Sequence, residues 1–158
     1  MSVAFRRESD EEHLEPKFEL PIPAGVNLVT PRGLALIGER VAALEARIGE
    51  LAGADKDDPA LKAVKRDLRY WQTRQVTAEV VPAPSGETVE IGTTVTFSLN
   101  GKQLVLTIVG DDEADPAAGL VSFSAPLARA LMGAEVGEML DFADREDAIE
   151  VLGIAVRG

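Results

Sequence analysis

The chain has 158 residues, of which 46% are apolar but only 4% aromatic, and its formal net charge is −11. A protein of this length forms one or two small domains, whose core consists mainly of aliphatic side chains. The negative charge argues against unaided nucleic-acid binding, because attraction to phosphates needs a basic surface. Cysteine is absent, which excludes disulfides and zinc–cysteine sites. The sequence contains no apolar signal region or membrane span, so we expect a cytoplasmic protein without a membrane partner.

Residues 1–29 are predicted to form an irregular acidic arm. Acidic residues outnumber basic ones there, and Pro16, Pro21 and Pro23 oppose regular structure. The single histidine, His13, lies in this arm, so a histidine-centred catalytic site is not expected. As an alternative to a free arm, four apolar side chains could fix part of it to the rest of the protein: Leu20, Ile22, Val26 and Leu28.

Residues 30–79 are predicted to form a hairpin of two antiparallel helices. Thr30 can cap the first helix and Pro31 suits its first turn. Apolar residues then recur every three or four positions, at Leu34, Ile37, Val41, Leu44, Ile48 and Leu51. Asp58 can cap the second helix, whose apolar seam is Leu61, Val64, Leu68 and Trp71, with Val76 at its end. The short turn at 53–58 favours a hairpin within one chain, and a monomer, over a coiled coil between two chains.

Residues 80–87 contain two prolines and a glycine and are predicted to be a linker. Residues 88–158 then alternate as strands do, with Asn100-Gly101 as a hairpin turn. The predicted strands are Val89–Ile91, Thr93–Leu99, Leu104–Val109, Leu120–Phe123, Met139–Phe142 and Ile149–Val156, and a short helix covers about Pro126–Met132. The chain is therefore expected to be an α+β protein, a helical hairpin followed by an antiparallel β domain with one short helix.

Six segments, taken together and in this order, resemble the bacterial GreA/GreB family of transcription elongation factors. They are the Thr-Pro start of the hairpin, the Val-rich, proline-containing linker at 80–87, the Gly92–Val95 strand, the acidic Ile108–Asp115 segment, the Pro126–Leu131 helix and the spacing Gly133…Gly137-Glu138. The resemblance covers residues 30 to about 156 and implies an FKBP-like fold for the second domain. It also implies a regulator that is not an enzyme and has no cofactor of its own. Such a regulator binds RNA polymerase and inserts its hairpin into the secondary channel.

The resemblance assigns two surfaces. It implies that a coiled coil of the polymerase largest subunit is bound by Ser124, Ala125, Pro126 and Arg129. It also implies that nascent RNA or the channel walls are contacted by Lys62, Lys65, Arg66 and Arg69. Both sets also have a structural interpretation. Ser124 can simply cap the short helix, and the four basic residues can pair across the hairpin with Glu39, Glu45 and Glu50.

The tip of the hairpin decides the expected chemistry. Family members that stimulate transcript cleavage place tip acids beside the polymerase's own magnesium, and the candidates here are Asp55, Asp57 and Asp58. Asp57 and Asp58 would contact that metal only in the complex with polymerase. By the resemblance, each arm is shorter than usual by roughly ten residues, or about 15 Å of helix. We therefore predict binding without strong cleavage stimulation, as in the shorter-armed regulator of nucleoside diphosphate kinase; transcript cleavage is the alternative.

Two other functions suggested by local patterns are not supported by the sequence. Asp-Glu-Ala-Asp at 112–115 looks like a helicase motif, but the chain has no Gly-Lys-Ser/Thr phosphate loop. A prolyl isomerase needs an aromatic-lined pocket, and the second domain has only Phe97, Phe123 and Phe142. We predict that residues 111–115 form an exposed acidic turn, with a contact to the hairpin base or to polymerase as the alternative.

Overall fold

The computed structural model describes residues 19–157, so the predictions for residues 1–18, including His13, lie outside the described residues. The described chain forms two compact units. The first contains residues up to 25 together with 37–76, and the second contains 26–36 together with 77–157. This division differs from the predicted boundaries, because the segment 26–36 belongs with the C-terminal residues.

Two helices form the predicted hairpin, α1 at Pro31–Glu50 and α2 at Pro59–Thr77. Both predicted caps are confirmed. The Thr30 hydroxyl accepts a hydrogen bond from the Gly33 amide at 3.0 Å, and the Asp58 carboxylate accepts one from the Ala60 amide at 2.8 Å. Neither helix, nor any other within residues 19–157, is long and apolar enough to cross a membrane.

The apolar seam of the first unit matches the predicted spacing over most of its length. Ile37, Val41 and Leu61 are buried, and the guanidinium of Arg40 lies 5.6 Å from the ring centroid of half-buried Trp71, a cation–π distance. The prediction for Val76 is wrong, because its side chain is 80% exposed. Arg74 is buried instead, and an apolar pattern could not reveal it because such a pattern counts only apolar side chains.

The second unit begins with a two-stranded parallel sheet that the sequence did not predict. In it, β1 (Leu28–Val29) pairs with β2 (Glu79–Val80). Val80 therefore belongs to a strand rather than to the linker. Conversely, the predicted strand at Val89–Ile91 is not a strand. Val89 is buried, but its amide and carbonyl bond to Ala134 and Gly133, which follow the short helix.

The main sheet has five strands in the order β5-β4-β3-β7-β6. The strands are β3 (Thr93–Leu99), β4 (Lys102–Val109), β5 (Leu120–Ser122), β6 (Met139–Phe142) and β7 (Arg145–Val156). Asn100 and Gly101 have φ angles of 52° and 88°, as the predicted hairpin turn requires. β7 begins earlier than predicted because Ala143 and Asp144 also adopt positive φ and connect β6 to β7 directly.

One strand pair departs from the predicted antiparallel sheet. The edge strand β5 runs parallel to β4, because residues 110–119 double back only as far as Thr107, and Leu120–Ser122 then follow the last three residues of β4 in the same direction. The short helix α3 (Pro126–Leu131) packs against the sheet through Ala128 and Leu131. These two residues join a core of aliphatic side chains with one aromatic, Phe97. The predicted α+β class is thus confirmed.

Candidate functional site

The hairpin tip holds its three aspartates in contacts made within the turn. The Asp55 carboxylate accepts a hydrogen bond from the Asp57 amide at 3.0 Å, and the Asp55 carbonyl accepts one from the Asp58 amide at 2.8 Å. Asp58 in turn caps α2 through the Ala60 amide. Asp55 and Asp58 therefore each use one carboxylate oxygen locally, which fixes the shape of the turn.

The charge of the tip is partly offset by lysine. Asp57 Oδ1 lies 3.8 Å from Lys62 Nζ, and both side chains are well exposed. A pair of this kind is weak because water screens it. Lys56 is also exposed within the turn. The carboxylate oxygens suit a hard cation such as Mg²⁺, although residues 19–157 contain no cluster of three or more acidic or histidine side chains arranged to hold a metal ion.

The basic residues of α2 are not paired as predicted. No ion pair among the described residues joins them to Glu39 or Glu45, and Glu50 binds Arg47 on its own helix at 2.9 Å. The predicted pairing across the hairpin is therefore wrong. The contacts that form are Lys62 with Asp57, Arg66 with Asp67 and Arg69 with Glu19, while Lys65 is exposed.

The predicted docking segment lies at the start of α3 and is largely exposed. Ser124, Pro126 and Arg129 are exposed, and Ala125 is half-buried. Arg129 forms no ion pair with the rest of the described chain. The alternative prediction, that Ser124 caps the helix, is wrong. Ala125 is the N-cap residue, and no side chain caps this end.

Ser124 is held by a carboxylate that the sequence did not connect to it. The Ser124 hydroxyl donates to Asp111 Oδ1 at 2.9 Å, and the Ser122 hydroxyl donates to the same oxygen. The Ser124 amide also donates to the Ser122 hydroxyl at 3.1 Å. Asp111 thus organises the strand–helix junction from the acidic turn. Sequence reasoning missed this because the contact spans β5 and its preceding loop.

Glu113, in the same acidic turn, is buried rather than exposed. The Thr30 hydroxyl donates to Glu113 Oε1 at 2.6 Å, and the Arg157 guanidinium donates to Oε2. The predicted exposed turn is therefore wrong at this residue, and the alternative contact with the start of the hairpin is what the structure contains. We name Thr30, Glu113 and Arg157 the Glu113 cluster. It links the first turn of α1, the acidic turn and the C-terminal end of β7.

The second unit is also the part of the chain that a family model matches. Residues 83–155 match the model described as "Transcription elongation factor, GreA/GreB, C-term". Among curated proteins, the chain is similar to the transcription elongation factor GreA of Desulfovibrio desulfuricans, at 29% identity over 120 residues covering 72% of this chain and 74% of that protein. It is also similar to GreA of Chloroflexus aggregans, at 35% identity over 107 residues covering 63% of this chain and 68% of that protein.

Among solved structures, the chain is similar to Gfh1 of Thermus aquaticus, at 22% identity, covering 85% of this chain and 100% of that one. The TM-score of this likeness is 0.38. The family assignment depends on the sequence relatives. The chain is more than 30% identical to the Chloroflexus GreA, and the match covers more than two thirds of that protein's length. The helical hairpin, the α+β second unit and these relatives together place the chain in the GreA/GreB family of transcription elongation factors.

Proposed function

We propose that this chain binds RNA polymerase, inserts its hairpin into the secondary channel and does not strongly stimulate transcript cleavage. The observation that carries this proposal is the length of the hairpin. Its arms have 20 and 19 residues, which corresponds to about 30 Å of helix. By the family resemblance each arm is short by roughly ten residues, so a tip docked in the usual way would stop before the polymerase active centre.

The docking segment supports the binding step. Pro126 and Arg129 are exposed, and Arg129 has no ion-pair partner among the described residues. Its guanidinium can therefore bind a carboxylate on another protein in a bidentate geometry. The bonds from Ser122 and Ser124 to Asp111 hold the backbone before Pro126 in place. A surface that is ordered before binding loses less conformational entropy when it docks. The partner we propose is the coiled coil of the polymerase largest subunit.

Transcript cleavage is the second candidate function, and one observation favours it. Asp55 and Asp58 each use one carboxylate oxygen within the turn, which leaves the other oxygen available to a metal ion held by polymerase. Lys62 near Asp57 works against this, because a neighbouring cation reduces the attraction of the tip for magnesium. In either case we propose that the chemistry belongs to polymerase. The chain would act as a cytoplasmic, monomeric binding protein with no cofactor of its own.

The deciding experiment measures RNA shortening in backtracked elongation complexes of the cognate polymerase. The variant carries Asp55→Asn, Asp57→Asn and Asp58→Asn together. Asparagine keeps the turn and cap hydrogen bonds while removing the charge, so the hairpin stays folded. We expect neither the wild type nor the variant to shorten the transcript, and both to protect the complex from an added GreA. Shortening by the wild type that the variant loses would overturn the proposal and establish a cleavage factor.

A charge reversal tests the docking surface separately. Arg129→Glu should weaken binding to polymerase by about tenfold or more, because it places like charges at a predicted ion-pair site. Arg145→Glu is the matched control, since Arg145 is also exposed but is the first residue of β7, outside the predicted docking segment. Equal losses in the two variants would mean that Arg129 is not part of the docking surface.

A further inference from the structure

Among the described residues of the first unit, the shortest ion pair joins Glu19 to Arg69 of α2. Glu19 Oε1 accepts a hydrogen bond from Arg69 Nε at 2.8 Å, and Glu19 Oε2 accepts one from Arg69 Nη2 at 2.5 Å. This is the bidentate arrangement that matches a planar guanidinium to a carboxylate. The hydrogen bonds from Arg69, with the positive charges of Arg69 and Arg66, hold the pKa of Glu19 below its ordinary value of 4.5. Glu19 is therefore charged at neutral pH.

Residues that follow Glu19 also border a groove along α2. Leu20 and Ile22, which follow Glu19, line a groove together with Tyr70, Thr73 and Val76 of α2. The groove extends along the helix in the C-terminal direction from Arg69. Leu20 is half-buried, although Ile22 remains 47% exposed. The alternative prediction that apolar residues fix part of the arm to the hairpin thus has support at Leu20.

The charges of the two segments are complementary. We define the basic face of α2 as Lys62, Lys65, Arg66 and Arg69. Glu19 is an acidic residue of the arm that contacts this face, at Arg69. Its carboxylate offers two anionic oxygens to the guanidinium, as a phosphate does, so it can bind where a phosphate would bind. Because Glu19 belongs to the same chain as Arg69, their contact does not have to offset the entropy of bringing two molecules together.

We propose that Glu19 is an intramolecular competitor for the basic face of α2, occupying Arg69 in the place of an RNA phosphate. The inference rests on the proposed function, since the family resemblance assigns contact with nascent RNA to this face of the inserted hairpin. An exposed pair changes an affinity by a factor of only roughly two to five. Dense phosphates can therefore displace the arm, and the arm reduces binding of isolated or incorrect polyanions when no polymerase holds the RNA in place.

The test measures binding of a fluorescent single-stranded RNA 12-mer at low ionic strength by anisotropy, with the full chain. The net charge of −11 weakens this binding, but the basic face attracts the RNA locally. Glu19→Gln removes the charge of Glu19 and keeps its size. Glu87→Gln is the matched control, because Glu87 is exposed, forms no ion pair within the described residues and changes the net charge equally. We expect Glu19→Gln to tighten RNA binding by roughly two- to fivefold, and Glu87→Gln to change it much less.

A double-mutant cycle separates local competition from a general charge effect. In the Arg69→Gln background, Glu19→Gln should have no further effect, since its partner is gone. The inference is overturned if Glu19→Gln and Glu87→Gln tighten binding equally, if the effect of Glu19→Gln persists without Arg69, or if no variant binds RNA. These outcomes do not involve polymerase. A chain that fails to bind polymerase overturns the proposed function instead, and the RNA measurements remain interpretable without it.

Discussion

The turn at 55–58, between the two helices, and the turn at 111–115, between β4 and β5, each contain at least three acidic residues. At 55–58 the aspartates are exposed or half-buried, and their carboxylates contact groups no more than five residues away. At 111–115 the carboxylate of Glu113 is buried and bonds to Thr30 and Arg157, which are 83 and 44 residues away in the sequence.

The difference follows from which donors each turn can reach. A charged carboxylate is costly to remove from water unless donors replace its hydration. Glu113 has a hydroxyl on one oxygen and a guanidinium on the other, so it can be buried. At 55–58 the hydrogen-bond donors are amides of the turn itself and of the first turn of α2, and the carboxylates stay in solvent. A carboxylate whose hydrogen-bond donors are distant in the sequence therefore stabilises the fold. A carboxylate whose donors are its near neighbours remains accessible to a binding partner.

Of the substitutions suggested by this comparison, Glu113→Ala is expected to change stability most. Glu113→Ala should lower the free energy of unfolding of the second unit by about 3 kcal/mol, because it leaves Arg157 and Thr30 without their buried acceptor. Asp115→Ala is the control in the same turn, since Asp115 is exposed, and it should change stability by less than about 0.5 kcal/mol. Urea unfolding followed by far-ultraviolet circular dichroism measures both. Equal effects would show that burial does not distinguish the acids of this turn.

A glycine near each turn allows the packing of the two turns to be compared by a substitution that changes no charge. Gly110 precedes the acidic turn, and a Cβ at this position would overlap the backbone carbonyl oxygen of Leu28. Its φ of −79° suits any residue, so Gly110→Ala is expected to cost about 1–3 kcal/mol through overpacking alone.

Gly53 at the hairpin tip is the matched control for Gly110. A Cβ there would meet no atom within 4 Å, so Gly53→Ala should leave stability unchanged or raise it slightly. The midpoint of thermal unfolding, measured for both variants and the wild type, tests these two expectations. A loss at Gly53 as large as that at Gly110 would mean that the tip is packed against another part of the chain.

Periodicity and turn chemistry predicted the parts of this fold that depend on neighbours in the sequence. The two helices, their caps at Thr30 and Asp58, and the Asn100-Gly101 turn are of this kind, because spacing or a local hydrogen bond determines each of them. Strand β6 was also predicted with its observed bounds, Met139–Phe142.

The features that the sequence could not reveal depend on partners distant along the chain. Ser124 looked like a helix cap, but Asp111 binds its hydroxyl from the other side of β5. Nothing near Glu113 in the sequence distinguishes it from the other acids of its turn, because Arg157, which binds it, is 44 residues away. β1 is only two residues long and exists because β2 lies next to it. For the same reason the docking segment could be located by resemblance, whereas the contacts that hold it could not.

A smaller effect is expected from the cap at the hairpin tip. Asp58→Ala should destabilise the first unit by about 1 kcal/mol, because the Ala60 amide loses its acceptor. Asp58→Asn should have little effect, since asparagine caps as well as aspartate does. Asp57→Ala, which removes only an exposed ion pair, should cost less than about 0.5 kcal/mol. The fluorescence of Trp71, the single tryptophan, reports unfolding of this unit, and a loss in Asp58→Asn equal to that in Asp58→Ala would contradict the capping role.

Glu19 is intermediate between the two turns, because it is solvent-exposed yet binds Arg69, which is 50 residues away. Its hydrogen bonds with Arg69 lower its pKa from the ordinary 4.5. Between the folded and unfolded pKa values the unfolded chain binds more protons at Glu19, so protonation favours unfolding. The contact is complete above the unfolded pKa and is lost as the pH falls through the folded value. An NMR titration of the Glu19 carboxyl carbon should give a midpoint below the ordinary value in the wild type and near it in Arg69→Gln. Identical midpoints in the two proteins would show that the arm does not hold Arg69 in solution.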